Sequence, residues 1–202
     1  MRHRFYPFEK KPFHFFVRGT YTSEQKLLKA WDRSTKILRD LGNRHILNTH
    51  AFVLMSNHCH HLWSPSDASA IEAFGELAKE VLEIVDCDKP TWDDSISEID
   101  SFYQFQQVYK YIYRNPVDGG LVRRVEDYRF STIQSVLGNQ PNISGLLDPF
   151  GLIFDQTRML DWLNAPLSQN EMAARTVNRC RRPIFENEPR ALRSAKNRAS
   201  NC

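Results

Sequence analysis

The sequence predicts an α+β fold, an antiparallel sheet with helices on one face, roughly the ferredoxin-like class. Two observations carry this expectation. The hydrophobic periodicity runs β, α, β-hairpin, α, β, α between Lys11 and Asn115. The 202-residue length, with 41% hydrophobic and 25% charged residues, is ordinary globular composition with room for one good core and a small appendage.

Each element has its own signal. Lys11 to Arg18 is aromatic and β-branched, bounded by Pro12 and Gly19, and predicts a first strand. Ser23 can cap a helix in which Leu27, Leu28, Trp31, Ile37, Leu38 and Leu41 recur at helical spacing, with Gly42 as its stop. His45 to Met55 and His58 to Trp63 read as a hairpin turning at Ser56-Asn57 and closed by Pro65. Ser69 to Val85 returns to the helical period through Ile71, Phe74, Leu77, Ala78, Val81, Leu82 and Val85. Thr91 to Ser101 alternates loosely around Trp92, Ile96 and Ile99, giving a fourth strand. Phe102 to Asn115 is a last helix through Phe102, Phe105, Val108, Tyr109 and Ile112, ending where Pro116 restricts the residue before it. Mixed short elements follow Gly119-Gly120 up to Leu163.

Composition excludes several classes. The apolar runs fall far short of the roughly 18 residues of a membrane span, and Met1 to Lys11 is too charged and aromatic for a signal peptide. A soluble cytoplasmic protein is expected. Cys59, Cys87, Cys180 and Cys202 show neither C-x-x-C pairing nor a dense framework, and read as free thiols. Charge is uneven: Arg175 to Cys202 carries a local balance of +6, which leaves the rest of the chain at −3. Such a tail suits polyanion contact by counterion release, and equally suits a solvated terminus.

The densest chemical cluster is Asn57-His58-Cys59-His60-His61 at the start of a strand. Side chains alternate across a strand, so His58 and His60 share one face and Cys59 and His61 the other. Two imidazoles about 7 Å apart at their backbones can converge on one cation, on a surface as rigid as a sheet. A structural role for the pair remains open on spacing alone. His61 reads as a polar residue of the opposite face.

The second cluster is Tyr111 and Asn115, one helical turn apart on a polar stripe extended by Gln104 and Gln107, which sets Tyr111 near a surface. A phenol can attack phosphorus or carbon, but with a free pKa near ~10 it needs a polarised electrophile or a base. Asn115 offers a neutral oxygen ligand. Tyr103, Tyr109 and Tyr113 compete for the nucleophile's part, and Asn115 equally serves as a helix end.

Ala51 to His60 (AFVLMSNHCH) and Lys110 to Val122 (KYIYRNPVDGGLV) together resemble the two signature blocks of the HUH single-tyrosine transposases, above all the REP-associated tyrosine transposase branch. His14 to Gly19 resembles that family's first strand and its Arg-Gly, and Asp127 to Thr132 its segment after the tyrosine helix. The similarity spans about residues 12 to 138. It implies an HUH endonuclease-type fold, with residues 1–138 as catalytic domain and 139–202 as a C-terminal extension with a basic tail.

The resemblance further implies that His58, His60 and Asn115 hold a divalent cation, Mg²⁺ or Mn²⁺, and that Tyr111 is the nucleophile. Tyr111 would attack a phosphate of single-stranded, hairpin-bearing DNA, leaving a 5′-phosphotyrosine link and a free 3′-OH, and another 3′-OH would reverse the step. No nucleotide cofactor is needed, because the link conserves the bond energy. Imidazole ligands leave Mn²⁺ a credible preference. Arg18, matching the first-strand Arg-Gly, is the leading DNA contact, with Arg123 and Arg124 beside it and Arg2, Arg4, Lys10, Lys11 and the terminal arginines as further candidates. A bacterial, nucleoid-associated location would follow, with no membrane partner. Relatives include monomers and dimers with exchanged tyrosine helices, so a homodimer stays open.

The chain departs from the family pattern at Ser56, Cys59, His61 and Asp118-Gly119-Gly120. The last change replaces a cation near the site and favours an alternative, a domesticated DNA-hairpin-binding protein that does not cleave. A zinc module using Cys59 ranks behind both, since Cys59 faces away from the His pair.

Overall fold

The computed structural model describes residues 10–18, 23–66, 96–151 and 154–169. Four strands, β1 (Phe13–Arg18), β2 (Leu47–Leu54), β3 (His58–Pro65) and β4 (Ile96–Glu98), form one sheet in the order β2-β3-β1-β4. All three pairings are antiparallel. This is the split β-α-β order expected of a ferredoxin-like unit. β4 is the described part of the expected fourth strand, whereas the helix expected over 69–85, Arg2, Arg4 and the basic tail lie outside the described residues.

The first helix, α1 (Glu24–Asn43), begins as expected: the Lys26 amide donates to the Ser23 hydroxyl at 3.3 Å. It buries Leu27, Ala30, Trp31, Leu38 and Leu41, with Trp31 stacked on Phe52 of β2 at 5.7 Å between ring centroids. The helix ends at Asn43, one residue past the expected stop at Gly42. The buried glycine lets the 144–145 backbone approach: a Cβ on residue 42 would lie 1.8 Å from the Ser144 carbonyl oxygen. Gly42→Ala should therefore force two backbone segments apart and destabilise the protein by about 3 kcal/mol. A fall in Tm of about 10 °C would register this in a thermal melt.

The second helix, α2 (Phe102–Asp118), is capped by Ser101, whose hydroxyl accepts from the Gln104 amide at 3.2 Å while Gln104 Oε1 accepts from the Asp100 amide at 2.8 Å. This reciprocal pair resembles a capping box and gives Gln104 a local task. The expected end at Asn115 is corrected, because the helix continues through Pro116 to Asp118. Proline removes one donor, but the Gly119 amide still reaches the Asn115 carbonyl at 2.9 Å and the Leu121 amide the Pro116 carbonyl at 2.9 Å. Pro116 is itself buried, so its ring contributes packing that offsets the lost bond.

Adjacent residues of β3 identify the two layers. His61 meets Phe52, which Trp31 of α1 covers, while His60 meets Tyr111 of α2. Consecutive strand residues point to opposite faces, so α1 and α2 sandwich the sheet. The antiparallel sheet is as expected, and the difference is that the last helix takes the face opposite α1. α2 is held there by its own buried stripe, with Phe105 edge-on to His50 of β2 and the Tyr113 hydroxyl donating to the His50 carbonyl at 3.4 Å.

The free edge of β2 is covered by the chain after α2. The Leu54 amide donates to the Phe130 carbonyl at 3.0 Å, the Thr132 amide to the Phe52 carbonyl at 2.9 Å, and the Leu147 amide to the Thr49 carbonyl at 2.8 Å. Edge amides that would otherwise invite another strand are thereby paired. A short helix α3 (Ile133–Val136) and α4 (Gln156–Asn164) complete the described chain, α4 burying Leu163 and setting Trp162 near Tyr109. No described helix is long and apolar enough to cross a membrane.

Candidate active site

β3 and α2 bring the two sequence clusters together. His58 Nε2 lies 3.0 Å from Asn115 Oδ1, and Asn115 Nδ2 donates to His60 Nε2 at 2.9 Å. The Tyr111 hydroxyl is 3.4 Å from the same His60 nitrogen, with the rings edge to face at 5.1 Å. Two ring nitrogens, one amide and one phenol thus meet at a single point. They meet because His58 and His60 share a strand face and Tyr111 and Asn115 share a helix face one turn apart.

The competing tyrosines are elsewhere. Tyr103 is exposed, while Tyr109 and Tyr113 are sealed in the core, where burial pushes both phenols well above their ordinary pKa. Tyr113 packs its hydroxyl 3.0 Å from Thr132 Oγ1. Tyr111 is half-buried rather than at the surface, and Gln107, one turn before it, is buried.

The donor set fits a divalent cation of borderline to hard character. It offers two imidazole nitrogens and one carboxamide oxygen, leaving the remaining positions for water or phosphate oxygens. His58 lies between two amide oxygens, since its Nδ1 is 2.6 Å from Asn57 Oδ1. Among the described residues, no group of three or more His, Cys, Asp or Glu is arranged to hold a metal. Any cation here would therefore depend on the amide of Asn115.

β1 adds two residues that the sequence reading passed over as chemistry. Phe16, opposite His60 in register, packs on both His58 and His60, at 5.7 and 4.9 Å between centroids. His14 Nε2 is 3.0 Å from His60 Nδ1, with the rings stacked at 5.2 Å. The alternation of His14, Phe16 and Arg18 along one strand face was a usable signal, but only once β1 is known to neighbour β3. Arg18 ends β1 opposite His58.

Arg123 and Arg124 are exposed beyond the C-terminus of α2, and Arg124 pairs with Glu126, whose carboxylate holds the guanidinium pKa up. Lys11 pairs with Glu98 and Asp100, and Lys10 donates to the Ser66 carbonyl at 2.9 Å. Asp118 faces Arg114 at 2.7 Å, so its carboxylate is answered by a cation one turn earlier.

The opposite sheet face is sealed. Cys59 is fully buried and its thiol is pushed up to about 12 by desolvation, while His61 Nε2 bonds to Thr49 Oγ1 at 3.1 Å. Burial pushes both His61 and His50 down to about 3, so the folded protein keeps them neutral. The unfolded chain binds protons on both below its ordinary histidine pKa of 6.5, and the native state does so only near 3. Stability should therefore be full above pH 6.5 and fall as pH drops through that window, by roughly 4 kcal/mol between pH 7 and pH 5 for the two together. Urea midpoints at these pH values measure the fall, and His61→Gln should remove about half of it.

No family model matches the chain, and no curated protein does. The chain is similar to a solved structure of a REP-associated tyrosine transposase bound to a REP hairpin, at 20% identity and a TM-score of 0.48, over 73% of this chain and 92% of that one.

Proposed function

We propose that the protein is a DNA-nicking and strand-transfer enzyme of the HUH single-tyrosine type, acting on single-stranded, hairpin-bearing DNA. The observation that carries this reading is the convergence of Tyr111, His58, His60 and Asn115, with the phenol 3.4 Å and the amide 2.9 Å from one imidazole nitrogen. Both members of each sequence signature meet, although 51 residues separate His60 from Tyr111. A core histidine pair and a helix-ending asparagine have no reason to share one point with a phenol.

His58, His60 and Asn115 would hold Mg²⁺ or Mn²⁺, which when bound supplies the positive charge that polarises a scissile phosphate. Tyr111 Oη forms the new bond to phosphorus in line with the departing 3′ oxygen, and the bond between phosphorus and that oxygen breaks. The phenolic proton leaves to solvent and the departing oxygen takes one up, giving a 5′-phosphotyrosine and a free 3′-OH. A second 3′-OH attacking the phosphotyrosine rejoins DNA and restores the phenol. Phe16 presents a ring beside the His pair on which a base can stack. Arg18, Arg123 and Arg124 would contact the DNA backbone, Arg124 by exchanging Glu126 for a phosphate.

The test is cleavage of end-labelled single strands carrying a hairpin, drawn from the gene's own flanks, with Mn²⁺ or with EDTA. Metal-dependent nicking beside the hairpin supports the enzyme. Tight hairpin binding with no cleavage under any metal would return the non-cleaving alternative.

A further inference from the structure

We infer that His14 is a positioning residue for His60. By accepting the His60 Nδ1 proton it holds that ring with the Nε2 lone pair aimed at Asn115 and Tyr111. The Nδ1–His14 separation is 3.0 Å, the two rings stack at 5.2 Å with 20° between their planes, and His60 is 2% exposed. On the other side of the ring, Asn115 Nδ2 donates to His60 Nε2 at 2.9 Å. An imidazole nitrogen that accepts from an amide NH₂ carries no proton. The proton of neutral His60 is then on Nδ1, and His14 Nε2 is the acceptor that receives it.

The placement follows from the sheet. His14 pairs with Leu62 in register, which makes His60 its diagonal neighbour on the same face. Two strands of one sheet fix the two backbones, so the bond sets ring orientation and tautomer together. His58 shares only the outer half of this arrangement, with Asn57 Oδ1 2.6 Å from its Nδ1 but the Asn115 oxygen, not its nitrogen, facing its Nε2. Outer partners of this kind orient a ligating imidazole and raise its basicity. The part of the inference that concerns cation affinity rests on the function proposed above, whereas the tautomer of His60 does not.

The first experiment is long-range ¹H–¹⁵N spectroscopy of metal-free protein with ¹⁵N-labelled histidine, on wild type, His14→Gln and His14→Phe, with His60→Gln to assign the resonance. Gln keeps an acceptor oxygen near the position of His14 Nε2, and Phe keeps only the stacking ring. Wild type and His14→Gln should show His60 protonated on Nδ1, and His14→Phe should move it to Nε2 or to a mixture. Protonation of wild-type His60 on Nε2, or a spectrum unchanged in His14→Phe, overturns the inference, and the wild-type spectrum decides even if the Phe variant fails to fold. The second experiment is Mn²⁺ titration followed by electron paramagnetic resonance. His14→Phe should bind about 10- to 100-fold more weakly than wild type, with His14→Gln restoring most of the affinity. Equal affinities in all three overturn the role of His14 toward the cation. Wild type without Mn²⁺ affinity would instead overturn the cation reading, with the tautomer still testing His14.

Discussion

Tyr111→Phe is expected to abolish covalent capture of single-stranded DNA, lowering cleavage by about 10⁴-fold or more, while leaving the fold and hairpin binding intact. The size of the effect follows from the role: removing a covalent nucleophile removes the pathway, and neither Tyr109 nor Tyr113 can replace it from within the core. The small structural cost follows from the geometry. Tyr111 is half-buried and its hydroxyl sits 3.4 Å from His60 Nε2, at the long end of hydrogen bonding, so its loss costs about 1 kcal/mol or less. A denaturing gel for the adduct, a binding titration and a melt on the same preparation separate these three readouts. Cleavage at wild-type rate by the variant would remove Tyr111 from the chemistry.

His60→Ala is the second large effect. His60 is the hub of the cluster, within bonding distance of His14, Tyr111 and Asn115 and in ring contact with Phe16. Its loss should reduce cleavage by roughly 10²- to 10⁴-fold, the equivalent of several kcal/mol of transition-state charge stabilisation, and the residual rate should no longer respond to Mn²⁺. The matched control is the next residue. His61→Gln changes a histidine on the other face, bonded to Thr49, and should cost stability but leave cleavage within about threefold when assayed well below Tm. Equal losses from the two substitutions would mean that general destabilisation, rather than the site, explains the result.

Local physics made much of this arrangement readable in the chain. Period-2 alternation alone assigns His58 and His60 to one side of β3 and Cys59 and His61 to the other, and the structure has them so. Helical spacing alone sets Tyr111 and Asn115 on one face of α2. What spacing cannot supply is which elements lie side by side. The partnership of His14 with His60 depends on β1 lying next to β3, a property of strand order and not of any window of sequence. The face taken by α2 was likewise invisible, because amphipathicity says that a helix covers something apolar but not which side of a sheet it covers.

Two breakers by local propensity lie just inside helix ends, Gly42 one residue before the end of α1 and Pro116 two residues before the end of α2. Gly42 is there for the backbone that crosses it, and Pro116 is buried in the last turn, whose remaining amide bonds hold. Gln104, read as part of a polar stripe, is occupied by capping α2. In each case a tertiary contact or an end effect overrode the signal of a single residue.

In the proposed reaction Tyr111 itself carries the DNA. The most direct measurement is mass spectrometry of wild-type protein trapped with a hairpin-bearing single strand in Mn²⁺, digested with nuclease and then with trypsin. Cleavage after Lys110 and Arg114 yields the peptide Tyr111-Ile112-Tyr113-Arg114, and its fragments separate the two tyrosines. A nucleotide linked through its 5′-phosphate to Tyr111, absent with EDTA, is the predicted result. A nucleotide on Tyr103, Tyr109 or Tyr113, or tight hairpin binding with no linked peptide at all, would contradict it.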